Sequence, residues 1–169
     1  MHRALWLLAL TAAAGSAPAS AQDAELTVAA VALGAVLQSQ REPSRIAVSS
    51  TLGWDNKPAA RDLEEWLASD SRRQRLLPLA RRFWEANATP RQVTVLEVPG
   101  FGRTELTSAR PDTVGQYALS RVAFSPHGDS ALVATGFSCP GLCGGWDLWL
   151  YVRADTTWRR VSNLMSVNH

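Results

Sequence analysis

The apolar periodicity of this chain turns from mainly helical to alternating near Gln92, and that change limits its architecture more than any single motif. Before it, Leu26, Val28, Val31, Leu33, Val36 and Leu37, diluted by alanines, suit a helix that is apolar round most of its circumference and therefore well buried. Arg41-Glu42-Pro43-Ser44 stops that helix, and residues 45–51 read as a strand through β-branched alternation. Pro58 suits the first turn of the next helix, where its missing N–H costs nothing. In that helix Ala59, Leu63, Trp66 and Leu67 share one face, with Arg61, Glu64 and Glu65 on the other. Asp70-Ser71 offers an N-cap to a further helical stretch, which Pro78 is expected to kink or divide. Leu76, Leu77, Ala80, Phe83 and Trp84 form its inward face, and Arg72, Arg73, Arg75, Arg81 and Arg82 its solvated one, with an anion-binding arginine cluster as the functional alternative.

After the change, residues 92–97 form a strand candidate ended by Pro99-Gly100, and residues 102–115 read as a long connection. Stronger strands follow near residues 117–125, 130–138, 146–153 and 158–164, with turns at Pro126-His127-Gly128-Asp129 and Ala154-Asp155-Thr156-Thr157. Short turns between consecutive strands make antiparallel neighbours. The expected fold is α+β: N-terminal helices packed on one face of a C-terminal antiparallel β-meander of about four to five strands.

The length of 169 residues, 46% hydrophobic and 19% charged, fits one compact domain and argues against a disordered or collagen-like chain. Of seventeen basic residues all but Lys57 are arginine, and fifteen carboxylates nearly balance them. A nucleic-acid stripe or polybasic membrane patch is not expected from that dispersion.

Residues 1–21 read as a signal peptide. His2 and Arg3 supply a positive start, an apolar run follows from Ala4, and Ala19-Ser20-Ala21 places small residues where a signal peptidase cuts, leaving Gln22 first. Neither that run nor the one from Leu26 to Leu37 reaches the roughly 20 apolar residues that span a bilayer. No cysteine follows the small residues to carry a lipid anchor. Residues 22–169 are then a single domain, 22–90 its helical half and 91–169 its sheet half, expected in the periplasm or outside the cell.

Cys139-Pro140-Gly141-Leu142-Cys143 is the most informative segment for chemistry. Two cysteines close in sequence, between strands of an exported chain, point to a disulfide across a hairpin tip. The C-x-x-C spacing of a redox dithiol is missing, and a zinc site would need two further ligands. No cofactor is expected. Phe124-Ser125-Pro126-His127-Gly128-Asp129-Ser130 suits a β-propeller hairpin but occurs once, whereas a propeller repeats its unit. The proximity of Ser125, His127 and Asp129 is no sign of a triad, whose members meet through tertiary structure. His127 reads as a turn residue; beyond the leader only it and His169 could serve as imidazole acid or base.

Leu119-Ser120-Arg121-Val122-Ala123-Phe124, then Ala131-Leu132-Val133, Cys139-Pro140-Gly141-Leu142-Cys143-Gly144-Gly145 and finally Trp158 resemble a recurring C-terminal pattern of small exported bacterial proteins without an assigned activity. In that family the pattern is approximately L-S-R-V-x-F, A-L-V, C-G-x-L-C-G-x-G and a late tryptophan, and Gly115 also fits it. Pro140 stands where the family usually has glycine, and Trp146 where it has the closing glycine. The resemblance implies an exported α+β protein and brings no catalytic residues.

Alternation after the cysteines puts Trp146, Leu148, Leu150 and Val152 on one side, read as core. Asp147, Trp149, Tyr151 and Arg153 fall on the other, either covered by the helices or forming a contact surface. The expected function is a non-catalytic module that binds a protein or envelope component through that surface, without nucleic acid as a partner. The rival is a small exported hydrolase that pairs Asp129 or Asp147 with His127.

Overall fold

The computed structural model describes residues 20–41, 46–54, 58–107, 115–139 and 143–168. Helix α1 (Ala21–Gln38) opens on a reciprocal cap. The Ser20 hydroxyl accepts from the Asp23 N–H at 3.2 Å, and the Asp23 carboxylate accepts from the Ser20 N–H at 3.2 Å. The expected cleavage point after Ala21 therefore falls in the first turn of this helix, while residues 1–19 of the leader lie outside the described residues. Val28, Ala29 and Leu33 of α1 are wholly buried, as its near-continuous apolar circumference requires.

Strand β1 (Ile46–Leu52) precedes helices α2 (Pro58–Ala68), α3 (Ser71–Gln74) and α4 (Leu77–Asn87). Asp70 caps α3 by accepting from the Arg72 N–H, and Pro78 in the first turn of α4 separates the two helices as expected. The inward faces bury Leu63, Leu67, Leu79, Ala80 and Phe83, while Arg72, Arg75, Arg81 and Arg82 are exposed.

The strands are β2 (Arg91–Gln92), β3 (Val95–Val98), β4 (Gly102–Glu105), β5 (Gly115–Leu119), β6 (Ala123–Phe124), β7 (Ser130–Ser138), β8 (Gly144–Ala154) and β9 (Thr157–Asn168). Seven of them form one sheet in the order β2-β1-β5-β7-β8-β9, with β6 beside β7; β3 and β4 pair separately as a hairpin. The sheet is mostly antiparallel, and β1 lies parallel to β5. The expectation of about four to five strands is thus corrected upward. Strands β1 and β2 extend the meander beyond β5, and the stretch 117–125 is two strands rather than one. Three helices separate β1 from β5 in the chain, which permits a parallel return that no tight turn could make.

The second correction concerns the helices, which cover both faces of the sheet rather than one. Ala131 and Val133 of β7 join the core under α1, with Leu119, Leu52 and Tyr151. Their neighbours Leu132 and Ala134 join the opposite core, with Leu63, Leu67 and Phe83 of α2 and α4 and with Leu148 of β8. A strand buried on both faces reads as an unbroken apolar run, as Ala131-Leu132-Val133-Ala134 does.

Helix α1 is also anchored by charge. The Glu25 carboxylate, 5% exposed, accepts from Arg91 Nη1 at 2.8 Å and from Arg121 Nε, and its Oε1 accepts from the Val122 N–H at 3.3 Å. Burial would raise its pKa, but the two guanidiniums and the backbone N–H outweigh it and hold the carboxyl below the ordinary value of 4.5.

Candidate functional site

Helix α1 covers only part of its face of the sheet. Beyond its last turn the face opens into a cleft of about 410 Å³, with Ala35, Val36 and Ser39 as the helical wall and Cys143 on the rim. Strand register supplies the floor. Tyr117 lies opposite Phe137, Phe137 opposite Gly145, and Thr135 opposite Asp147. Since alternate residues share a face, Tyr117, Phe137, Thr135, Asp147 and Trp149 all point the same way. Two glycines shape this floor. A Cβ on Gly115 would run into the Phe137 ring, so only glycine lets that ring lie across β5. Gly145, beside Phe137, brings no side chain to fill the space.

The polar groups are held in place. The indole Nε1 of Trp149 donates to Thr135 Oγ1 at 3.3 Å, and the Arg160 guanidinium carbon lies 4.2 Å from the Trp149 ring centroid. Asp147 accepts from Asn163 Nδ2 at 2.9 Å. The Tyr117 ring is tilted against Phe137, with centroids 4.8 Å apart, and its hydroxyl accepts from Gln40 Nε2 at 2.9 Å. Burial, then the charge of Asp147, pushes the Tyr117 phenol above its ordinary pKa, against the smaller effect of Gln40. The phenol therefore keeps its proton at neutral pH and can donate it to a ligand. Among the described residues, no carboxylate lies within ion-pair distance of Arg160.

Two of the four residues expected to form a contact surface line this cleft, Asp147 and Trp149. Tyr151 does not. It is 1% exposed, packed in the core under α1, where burial lifts its phenol pKa to about 12, so it offers no surface to a partner. The same alternation that brings Trp149 to the cleft carries Tyr151 beneath the helix. Arg153 is exposed, lies opposite Trp158 on β9 and does not line the cleft. The sulfurs of Cys139 and Cys143 lie at bonding distance, with Cα atoms 5.6 Å apart, and residues 140–142 between them lie outside the described residues.

The hydrolase residues are not brought together around Asp147. His127 occupies the exposed turn between β6 and β7. Ser130 at the near end of β7 opposes Val152, whereas Thr135 opposes Asp147. Five residues at about 3.4 Å each put the His127 turn about 17 Å along the sheet from Asp147. Asp129 is near His127 but is exposed; hydrogen bonds from Ser125 and Ser130 hold its pKa below the usual range. No protein-family model, curated protein or solved structure matches the chain. Among the described residues, no three His, Cys, Asp or Glu side chains gather as a metal site, and no helix is long and apolar enough to cross a membrane.

Tyr117, Thr135, Phe137 and Arg160 are site residues that sequence reasoning missed. For Arg160 a signal existed. The tight turn pairs Ala154 with Thr157, and counting back from it sets Arg160 opposite Tyr151, on the same face as Trp149.

Proposed function

We propose that the chain is an exported, non-catalytic binding module of the cell envelope, and that the cleft between α1 and the sheet is its ligand seat. One observation carries this reading: a preformed hollow of about 410 Å³ in which aromatic rings, a carboxylate, a guanidinium and a phenol converge. Small-molecule sites are commonly about 300–1,000 Å³, with a few fixed polar groups that set the ligand's orientation. The side chains are already tied to one another, so a ligand need not order them on arrival. Export is supported by the pattern of residues 1–21 and by a cysteine pair suited to an oxidising compartment. The distance of His127 from Asp147 weighs against the Asp147 form of the hydrolase alternative, and the Asp129 form would put its acid and imidazole in an exposed turn away from the cleft.

The test uses the small-molecule fraction of a bacterial envelope extract, with compounds retained by the purified protein identified by mass spectrometry. Gly145→Leu would fill the floor of the cleft at a strand position. Wild type is expected to retain a compound that Gly145→Leu, folded by near-ultraviolet circular dichroism, binds at least about tenfold more weakly, a loss of about 1.4 kcal/mol. Equal retention by both proteins would refute the assignment of the cleft. Turnover in a hydrolase screen that is lost in His127→Ala would refute a non-catalytic role.

A further inference from the structure

Resting on the reading of the cleft as a ligand seat, we propose that its ligand is a small zwitterion, an amino acid or dipeptide, with its carboxylate on Arg160 and its ammonium on Asp147. The guanidinium carbon of Arg160 lies over the Trp149 ring, 4.2 Å from its centroid, and Trp149 is itself fixed by Thr135. A cation–π contact takes up no N–H donor, and among the described residues the Arg160 side chain donates no hydrogen bond, which leaves free the fork that grips a carboxylate through two parallel hydrogen bonds. Its charge has no carboxylate partner among the described residues. Asp147 is half-buried, and a single described hydrogen bond, from Asn163, engages its carboxylate. A carboxylate accepts at about four lone-pair sites, so Asp147 has capacity left for an N–H-bearing cation.

The spacing selects the size of the ligand. Asp147 and Trp149 are two residues apart on one strand face, about 6.8 Å between their Cα atoms, and Arg160 lies over Trp149. An extended peptide covers at most about 3.3–3.6 Å per residue, so one or two residues bridge the two charges. On the far side of Asp147 from Trp149, level with Gly145, the tilted Tyr117 and Phe137 rings offer an apolar bed for a side chain that branches beside the ammonium, and the Tyr117 hydroxyl a neutral donor. A neutral sugar fits this chemistry less well. Its ring needs an open aromatic face, but one face of Trp149 carries Arg160 and the indole packs against the core under α1.

Isothermal titration with leucyl-phenylalanine, its N-acetyl form, its C-terminal amide, free phenylalanine and chitobiose tests the proposal. The unblocked dipeptide or free phenylalanine is expected to bind, and the stronger of the two fixes the size class. Acetylation and amidation are each expected to weaken wild-type binding at least about tenfold, the scale of a lost charge-assisted hydrogen bond. Arg160→Gln should weaken the unblocked ligand similarly and leave the amide unaffected, and Asp147→Asn should do the same with respect to the acetylated ligand. Equal binding of blocked and unblocked peptides would overturn the proposal, as would chitobiose binding in their place. If no probe binds while Gly145→Leu still abolishes retention of an envelope compound, the ligand class is wrong and the cleft assignment stands. If that retention is also insensitive to Gly145→Leu, the cleft assignment falls with it.

Discussion

Ser120 shows how a residue in a recognisable motif earns its place without chemistry. Wholly buried, its hydroxyl accepts from the Ala134 N–H at 2.8 Å and donates to the Arg121 carbonyl, satisfying the backbone where β5 breaks and β6 begins. Its neighbours are equally committed: Leu119 and Val122 to the core under α1, and Arg121 to Glu25. Ser120, Arg121 and Val122 thus serve to hold the fold in this chain, and none of them lines the cleft. Glu25 is the residue where pH should report this. Its folded pKa lies below the ordinary 4.5, so its contribution to stability is complete above that value and is lost as pH falls through the lowered folded pKa. Glu25→Gln is expected to cost on the order of 3 kcal/mol near neutral pH, because it leaves two partly buried guanidiniums without their counter-charge. Urea unfolding should show the gap from wild type shrinking at pH values below 4.5. A gap of the same size at neutral and strongly acidic pH would show that Glu25 does not stabilise through its charge.

At the scale of elements, most of the order along the chain was legible. The helix over Leu26 to Leu37, the division at Pro78 and the strand at 130–138 all follow from periodicity, proline and turn chemistry. The split between β5 and β6 was not, because it depends on a hydroxyl reaching a neighbouring strand, and no local pattern encodes that contact. Strand β4 was read as connection because Gly102, Arg103, Thr104 and Glu105 carry no apolar alternation; it pairs only with β3. The β7–β8 hairpin is tied at its tip, where the Cys139 N–H donates to the Cys143 carbonyl at 3.3 Å beside the paired sulfurs. A loop this short constrains the unfolded chain little, so replacing both cysteines with serine is expected to cost about 2 kcal/mol. At about 2–4 °C per kcal/mol for a chain of this size, melting should fall by about 4–8 °C. Loss of cooperative folding in the double serine variant would make the staple a principal source of stability, contrary to this account.

Among the described residues, the central strands of the sheet are covered on both faces, and the cleft is a gap in the cover on the α1 side. The run Ala131-Leu132-Val133-Ala134 held the clue to double coverage, since a strand with one wet face would alternate. Which helix lies on which face, and where β1 joins, depends on long-range pairing that hairpin turns leave open. The same limit applied to the site. Asp147 and Trp149 were legible from alternation along β8, but Tyr117, Phe137 and Thr135 join them only through the register of β5 and β7. Tyr151 was misplaced because alternation gives a face and not the length of helix that covers it. The cleft exists because α1 ends at Gln38 while the strands beneath it run on. The central claim is that this gap is where a ligand sits, and amide chemical-shift mapping tests it most directly. Titrating the isotope-labelled protein with the small-molecule fraction of an envelope extract should move the amides of Tyr117, Phe137, Gly145, Asp147 and Trp149. Shifts confined to the turn around His127 and Asp129, with the cleft amides unmoved, would contradict it.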